Sequence, residues 1–188
     1  MYKRWGKRLF DLFFAGLAVL ALSPLLLLVV VLIKLFDPGP VIFRQKRVGR
    51  NGACFTFLKF RSMPVNTGDI PSDQVGTVKI GPIGKFIRRT NIDELPQLFN
   101  ILKGDMSIVG PRPPLEKQAE LISLRRQNGA LSCRPGLTGL AQVRSYDGML
   151  VTQKATFDGE YAHSISLWND VKIILQTFLY LLKPPPVY

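Results

Sequence analysis

Between Asp11 and Lys34 the chain carries no ionisable side chain, and residues 12–33 are mostly Leu, Val, Ala and Phe. As a helix, this stretch would be about 33 Å long, enough to cross the hydrocarbon core of a bilayer. Ser23-Pro24 falls in its middle. Proline removes a backbone donor and crowds the carbonyl four residues back, so a bend or break is expected there. The Ser23 hydroxyl is placed to take a carbonyl freed by that break. After the breaker cluster Asp37-Pro38-Gly39-Pro40 the pattern changes. Residues 41–43 read as strand, Asn51-Gly52 as a hairpin turn and 54–61 as the return strand. Strand parity puts Lys59 and Arg61 on one face, about 6–7 Å apart, a spacing that suits a diphosphate. Residues 64–82 are polar and rich in Gly and Pro, a long loop of the kind that often forms a lid or binding loop. Helices are expected over 83–89, 95–102, 115–128, 157–161 and 167–182, with Gly104 and Gly129 ending the second and third and Pro184 stopping the last. Pro111, Pro113 and Pro114 forbid regular structure around Arg112, and 134–139 reads as a turn-rich loop. The final helix carries Trp168, Phe178 and Tyr180 near Lys172 and Lys183, which suits either a membrane-interface helix or an ordinary core helix.

Charge sharpens the reading of the apolar segment. The chain has 188 residues and a net charge of +12. Residues 1–66 hold eleven basic side chains and two acids, so nine of the twelve net charges lie in the first third. Lys3, Arg4, Lys7 and Arg8 precede the apolar run; Lys34, Arg44, Lys46, Arg47 and Arg50 follow it. Both flanks therefore favour the same, cytoplasmic side, which a single span cannot satisfy and a re-entrant helix can. Lys7 and Arg8 are placed at the membrane surface, where anionic lipid would attract them. A cleaved signal peptide fits less well, because the apolar run is too long and Pro24 follows the small-residue stretch. The expected architecture is α+β and predominantly helical. It has a re-entrant membrane helix-break-helix over 1–36 and a compact cytoplasmic domain over 37–188, with a small β-hairpin and interfacial helices. Two cysteines outside any Cys-x-x-Cys pair exclude a disulfide framework, and a single histidine, His163, excludes a histidine-rich metal site.

The segment TNIDELPQLFNILKGDMSIVGPRPP carries the chemistry. Asp93 and Glu94 are adjacent carboxylates just before Pro96, a residue favoured in a first helical turn; alternatively Thr90 caps the helix and Asp93 closes a capping box. Either arrangement puts the pair near a helix N-terminus, which favours an ionised carboxylate. An ionised Asp is a competent nucleophile toward phosphorus, and a neighbouring Glu can hold Mg2+ or act as a base. Acids at helix starts are also common caps, so the surroundings decide. Arg88, Arg89 and Arg112 flank the dyad in sequence, and Lys59 and Arg61 lie within reach. Arg112 sits between two prolines, which limits its backbone freedom and preorganises its fork for phosphate.

Several motifs occur in order: Lys7-Arg8, Ser23-Pro24, PVIFRQKRVG at 40–49, KFRSM at 59–63, DELPQLFN at 93–100, KGDMSIVGPRP at 103–113 and RPGLTGLAQV at 134–143. Together they resemble the bacterial sugar transferases of the small monotopic phosphoglycosyl transferase type, the PglC-like class. The resemblance covers nearly the whole chain. It implies transfer of a phosphosugar from a UDP-sugar to a polyprenyl phosphate, usually undecaprenyl phosphate, with release of UMP. In that scheme Asp93 attacks the β-phosphate and forms a covalent phosphosugar-aspartyl intermediate, and Glu94 is linked to Mg2+ binding. The resemblance matches Lys59 and Arg112 to cations that bind the phosphates; Arg61, Arg88, Gln97 and Asn100 are further candidates for the substrates, and Asp93 joins Glu94 as a candidate for the metal. It implies a re-entrant helix turning at Ser23-Pro24, an inner-membrane location with the catalytic domain on the cytoplasmic face, membrane lipid as a partner, and downstream glycosyltransferases as further ones. The product would enter O-antigen, capsule, exopolysaccharide or glycoprotein glycan synthesis. Residues 144–148, RSYDG, depart from the commoner pattern after LAQV, in a region expected to bear on sugar choice.

Two other readings compete. A non-enzymatic protein binding anionic lipid or nucleic acid through its basic face would account for the charge, but leaves the dyad and Pro-Arg-Pro unexplained; nucleic acid is not an expected partner. A glycosyltransferase that moves the sugar without its phosphate would release UDP in place of UMP.

Overall fold

The computed structural model describes residues 2–67, 80–144 and 149–181. Most of the loop expected over 64–82, most of the 144–148 stretch, and the end of the last helix beyond Leu181 lie outside these residues.

A π-helical turn, Tyr2–Gly6, leads into helix α1, Lys7–Phe36. Helical structure continues through Pro24, so the expected break is not a loss of helix. Pro24 supplies no N–H to the carbonyl of Leu20, and Ser23 Oγ donates to that carbonyl at 2.9 Å. One stripe of α1 faces the domain: Asp11, Ala15, Leu26, Val29 and Ile33 are buried, with partly buried Ala18, Val19 and Leu22 between them. The opposite face exposes Leu9, Phe13, Leu17, Leu20, Leu27 and Leu35.

The two halves of α1 close two different cores. Ala15 packs with Phe57, Leu98, Ile101 and Met106. Leu26, Val29 and Ile33 pack with Phe60 and Ile87. Both ends are also tied by polar contacts. Lys7 Nζ lies 2.7 Å from Asp170 Oδ2, and Arg8 donates to the carbonyls of Ile101 and Leu102 at 2.6 and 2.9 Å. Lys7 and Arg8, expected at the membrane surface, thus also tie α1 to the rest of the protein. At the other end Asp37 pairs with Arg61.

Strands β1, Ile42–Val48, and β2, Cys54–Phe60, form the expected antiparallel hairpin, with Ile42 opposite Phe60 and Val48 opposite Cys54. Asn51 and Gly52 both have positive φ (57° and 85°), and Ala53 N–H donates to the Arg50 carbonyl at 3.2 Å, closing the turn. Helix α2 covers Pro82–Arg89 and α3 covers Gln97–Lys103; Gly104, at φ 102°, ends α3 as expected.

The next elements were not all expected. Ser107–Val109 (β3) and Gly136–Thr138 (β4) pair in parallel, so part of the predicted loop at 134–139 is a strand. A Cβ on Gly136 would lie well under 3.0 Å from backbone atoms of Gly110 and Thr138, so the two segments meet at a distance only glycine allows. Between them lies α4, Ala119–Gln127, shorter than the 115–128 expected. Then follow α5 (Leu140–Arg144), α6 (Val151–His163) and α7 (Leu167–Leu181). Helix α6 is more than twice the length expected over 157–161. The third core joins Val109, Leu140, Tyr161 and Ile173. Helix α7 buries Asp170 and Ile173 and exposes Leu167, Trp168, Leu175, Phe178, Leu179 and Leu181. That distribution is not the one of an ordinary core helix, which would bury its large apolar side chains.

Candidate active site

Three segments converge on the dyad. Lys59 is the penultimate residue of β2. Asp93 and Glu94 lie on a 3₁₀ turn, Ile92–Glu94, entered through Asn91 in the left-handed region at φ 55°. Asn tolerates that conformation better than most residues, and its carbonyl accepts the Glu94 N–H at 3.1 Å. Arg112 stands in the proline-rich segment after β3. Lys59 Nζ is 3.3 Å from Asp93 Oδ2 and 3.0 Å from Glu94 Oε1, bridging the two acids. Arg112 forks onto Glu94, with Nη2 to Oε1 at 2.6 Å and Nη1 to Oε2 at 3.3 Å.

The adjacent carboxylates have opposite electrostatic fates. Burial pushes the Asp93 carboxyl above the usual aspartate range; the Glu94 charge adds to this, while Lys59 and Arg88 oppose it. Burial also disfavours the charged form of Glu94, but Arg112 and Lys59 outweigh it and hold that carboxyl well below the usual range. Glu94 is therefore a fixed anion. Asp93 is the less stabilised, more basic carboxylate. Of the two expected arrangements the Thr90 cap fails: Thr90 ends α2, its hydroxyl donating to the Phe86 carbonyl at 2.9 Å, and the dyad lies instead on the 3₁₀ turn that leads through Pro96 into the N-terminus of α3.

The other candidate residues divide. Arg88, in the last turn of α2, acts electrostatically on Asp93. Gln97 is 1% exposed, and its Nε2 makes no hydrogen bond among the described residues. Asn100 is engaged elsewhere: Oδ1 accepts Leu58 N–H at 3.1 Å and Nδ2 donates to the Thr56 carbonyl at 2.8 Å, so it clamps α3 to β2. Arg61 parts from Lys59. Strand β2 ends at Phe60, and the Arg61 guanidinium, buried, turns to Asp37, reaching Oδ1 at 3.2 Å and also its carbonyl. Strand parity fails once the strand has ended.

Sequence reasoning missed three buried acids. Asp11 Oδ1 accepts from Ser107 Oγ and Ile108 N–H, both at 3.0 Å, fixing α1 against β3. Asp170 gathers Lys7, the Tyr2 hydroxyl (2.6 Å) and the Tyr161 hydroxyl (2.8 Å). Asp158 pairs with Arg125. For Asp11 a signal existed: it is an isolated acid at the start of an apolar helix, which predicts a buried partner. Asp158 and Asp170 gave none.

The profile of the family described as bacterial sugar transferase matches residues 2–184. The chain belongs to the bacterial sugar transferases. It is 42% identical over 191 residues to a UDP-glucose:undecaprenyl-phosphate glucose-1-phosphate transferase of Caulobacter vibrioides, covering 97% of this chain and 72% of that protein. It is 38% identical to the exopolysaccharide production protein ExoY of Sinorhizobium fredii, over 92% of this chain and 83% of the relative. The UDP-glucose:undecaprenyl-phosphate glucose-1-phosphate transferase of Escherichia coli K12 is 40% identical over 91% of this chain, which spans only 39% of that longer protein. In this sugar transferase the dyad, Lys59 and Arg112 meet as one cluster, and the remaining motif residues largely build the frame around it.

Proposed function

We propose that the chain transfers a sugar phosphate from a UDP-sugar to a polyprenyl phosphate, undecaprenyl phosphate being the expected acceptor, and releases UMP. The observation that carries this reading is the unequal dyad. Glu94 is clamped by Arg112 and Lys59, and Asp93 is left as the buried, more basic carboxylate. An Asp93 oxygen attacks the β-phosphorus of the UDP-sugar. The new O–P bond forms as the bond from that phosphorus to the bridging oxygen breaks, and UMP departs. A phosphate oxygen of the polyprenyl phosphate then attacks the same phosphorus, breaks the aspartyl bond and yields a polyprenyl diphosphate sugar. Two anionic substrates thus use one site in turn, as a covalent intermediate permits. Lys59, Arg112 and Arg88 supply the positive charge that two carboxylates and a diphosphate require.

Mg2+ fits the donor type of this site. It is a hard cation that takes one or two carboxylates and completes its shell with phosphate oxygens and water. Asp93 and Glu94 would hold it, Glu94 sharing oxygens already bound to Arg112 and Lys59. When bound it would neutralise charge on the transferring phosphates.

The membrane reading rests on α1. Both its ends are held by one body, Lys7 by Asp170 and Asp37 by Arg61, whereas a bilayer-crossing span would carry its ends to opposite sides. With basic residues on both flanks and Pro24 at the centre, this supports a re-entrant helix. The catalytic domain would then lie on the cytoplasmic face of the bacterial inner membrane, with the exposed apolar sides of α1 and α7 in lipid. There the product would be passed to downstream glycosyltransferases.

The test is nucleotide release from a panel of UDP-sugars with undecaprenyl phosphate and Mg2+ in detergent. UDP-glucose comes first, because several relatives are named for it. UMP release supports the proposal and names the donor. UDP release would make the reaction a plain glycosyl transfer and remove the role of Asp93. Silence from folded protein across the panel would reject the proposed substrates.

A further inference from the structure

The segment Pro111-Arg112-Pro113-Pro114 contains one backbone N–H, so it cannot be held as a strand or helix is. It is held by its carbonyls. Pro111 O accepts Gly136 N–H at 2.9 Å, and Pro114 O accepts Val48 N–H at 3.0 Å. Pro113 O accepts Arg47 Nη1 at 3.1 Å. Arg112 O accepts Arg125 Nη1 at 2.8 Å. The last bond is unusual in its foundation. Arg125 is 2% exposed and reaches Arg112 from α4, while its Nε and Nη2 fork onto Asp158 of α6 at 2.8 and 2.6 Å. Asp158 is 1% exposed.

An ion pair this deeply buried costs desolvation that attraction between its members does not reliably repay, so stability alone explains it poorly. Its geometry is specific: one guanidinium spends two donors on the carboxylate and aims another at the backbone of the residue whose own side chain grips Glu94. We propose that Arg125, locked by Asp158, is a positioning residue for Arg112. The pair fixes where the Arg112 fork meets Glu94 and the substrate phosphate. This rests on the proposed role of the dyad. A misplacement of about 1 Å at such a contact costs up to a hundredfold in rate.

The experiment measures UMP release with UDP-glucose and UDP-galactose, with kcat and KM taken separately, on the full-length protein in detergent. The paired replacement Arg125→Met/Asp158→Leu removes the bond to Arg112 O without leaving a lone buried charge. It is made alone and on an Arg112→Ala background. The expected result is a melting temperature within a few degrees of the parent, a loss of about ten- to a hundredfold in the same kinetic parameter that Arg112→Ala lowers, and little further loss when the two are combined. Full activity of the paired variant, or losses that multiply with Arg112→Ala, would overturn the positioning role. Full activity of Arg112→Ala, or no UMP from the parent, would instead overturn the reading beneath it. Should the paired variant not fold, Arg125→Lys serves: it keeps the charge beside Asp158 but not the rigid fork that reaches both partners. It is expected to fold and to lose several-fold in rate; a folded, fully active Arg125→Lys rejects the proposal.

Discussion

Asp93→Asn separates chemistry from architecture. The amide is nearly isosteric, and its oxygen can still accept from Lys59 where Oδ2 now lies, at 3.3 Å. What disappears is the proposed nucleophile. No substitute stands by: the Glu94 oxygens are already bound by Arg112 and Lys59, with the shortest contact at 2.6 Å. UMP release should therefore fall by about 10⁴-fold or more, corresponding to about 5.5 kcal/mol of lost transition-state stabilisation. Stability should move the other way. Burial raises the folded-state pKa of Asp93, so the ionised side chain works against folding above that pKa and is neutral to folding below the unfolded value. Replacing it with Asn removes this penalty. The melting temperature of Asp93→Asn relative to the parent should rise with pH through the acid range and level off once the folded carboxyl is ionised. Each 1 kcal/mol recovered appears as about 2–4 °C in a protein of this size.

The assay pairs single-turnover UMP release with melting curves in detergent at several pH values. An inactive variant at least as stable as the parent near neutrality is the expected outcome. Retention of more than a small fraction of the parent rate would refute Asp93 as the nucleophile. A variant markedly less stable at neutral pH would refute the claim that the carboxylate is held against its solvation preference.

The proposed nucleophile sets the direction of the pH profile: kcat/KM should fall on acidification, because Asp93 must be deprotonated to attack, and a rate that holds through the acid range in folded protein would contradict that role. EDTA should stop turnover and Mg2+ should restore it, read as UMP release; full activity in excess EDTA would remove the metal. Gly136→Ala would drive a methyl into the Gly110 backbone and should cost about 3 kcal/mol, seen as a fall of about 6–12 °C in melting temperature; an unchanged value would show that the parallel strands can part cheaply. Pro24→Ala returns a backbone donor to the Leu20 carbonyl and should straighten α1, so that a cysteine placed at Lys3 becomes reactive to an impermeant thiol reagent from the opposite side of the membrane; unaltered labelling would reject Pro24 as the turning point.

What could be read in the sequence was what depends on neighbours along the chain. Asn51-Gly52 specifies its turn through two adjacent positive-φ residues, and Gly104 ends a helix through its own backbone freedom. The dyad was legible because Asp93 and Glu94 are adjacent, and Arg112 because prolines flank it. What could not be read depends on residues brought together from afar. Strands β3 and β4 are three residues each and pair across an intervening helix, with no alternation long enough to announce them. Arg61 looks equivalent to Lys59 by parity, but parity holds only while the strand lasts; one residue past its end, Arg61 turns to Asp37. Asn100 sits in the same motif as the dyad, yet its amide is spent on the β2 backbone. Motif membership alone therefore does not separate residues that touch substrate from residues that hold the site.

That distinction follows from hydrogen-bond supply. A loop built to present Arg112 rigidly uses proline, and proline removes the N–H groups by which neighbouring backbone would fix it. The carbonyls remain, and each must find a donor from elsewhere. Backbone N–H groups of Gly136 and Val48 serve two of them, and the side chains of Arg47 and Arg125 serve the others. A side-chain donor must itself be held, which is why Arg125 comes with a buried Asp158. The rigidity visible locally as Pro-Arg-Pro thus demands a distant charge pair whose members are separated by 33 positions in the chain. The local motif predicts that such donors exist; only the fold says which residues they are.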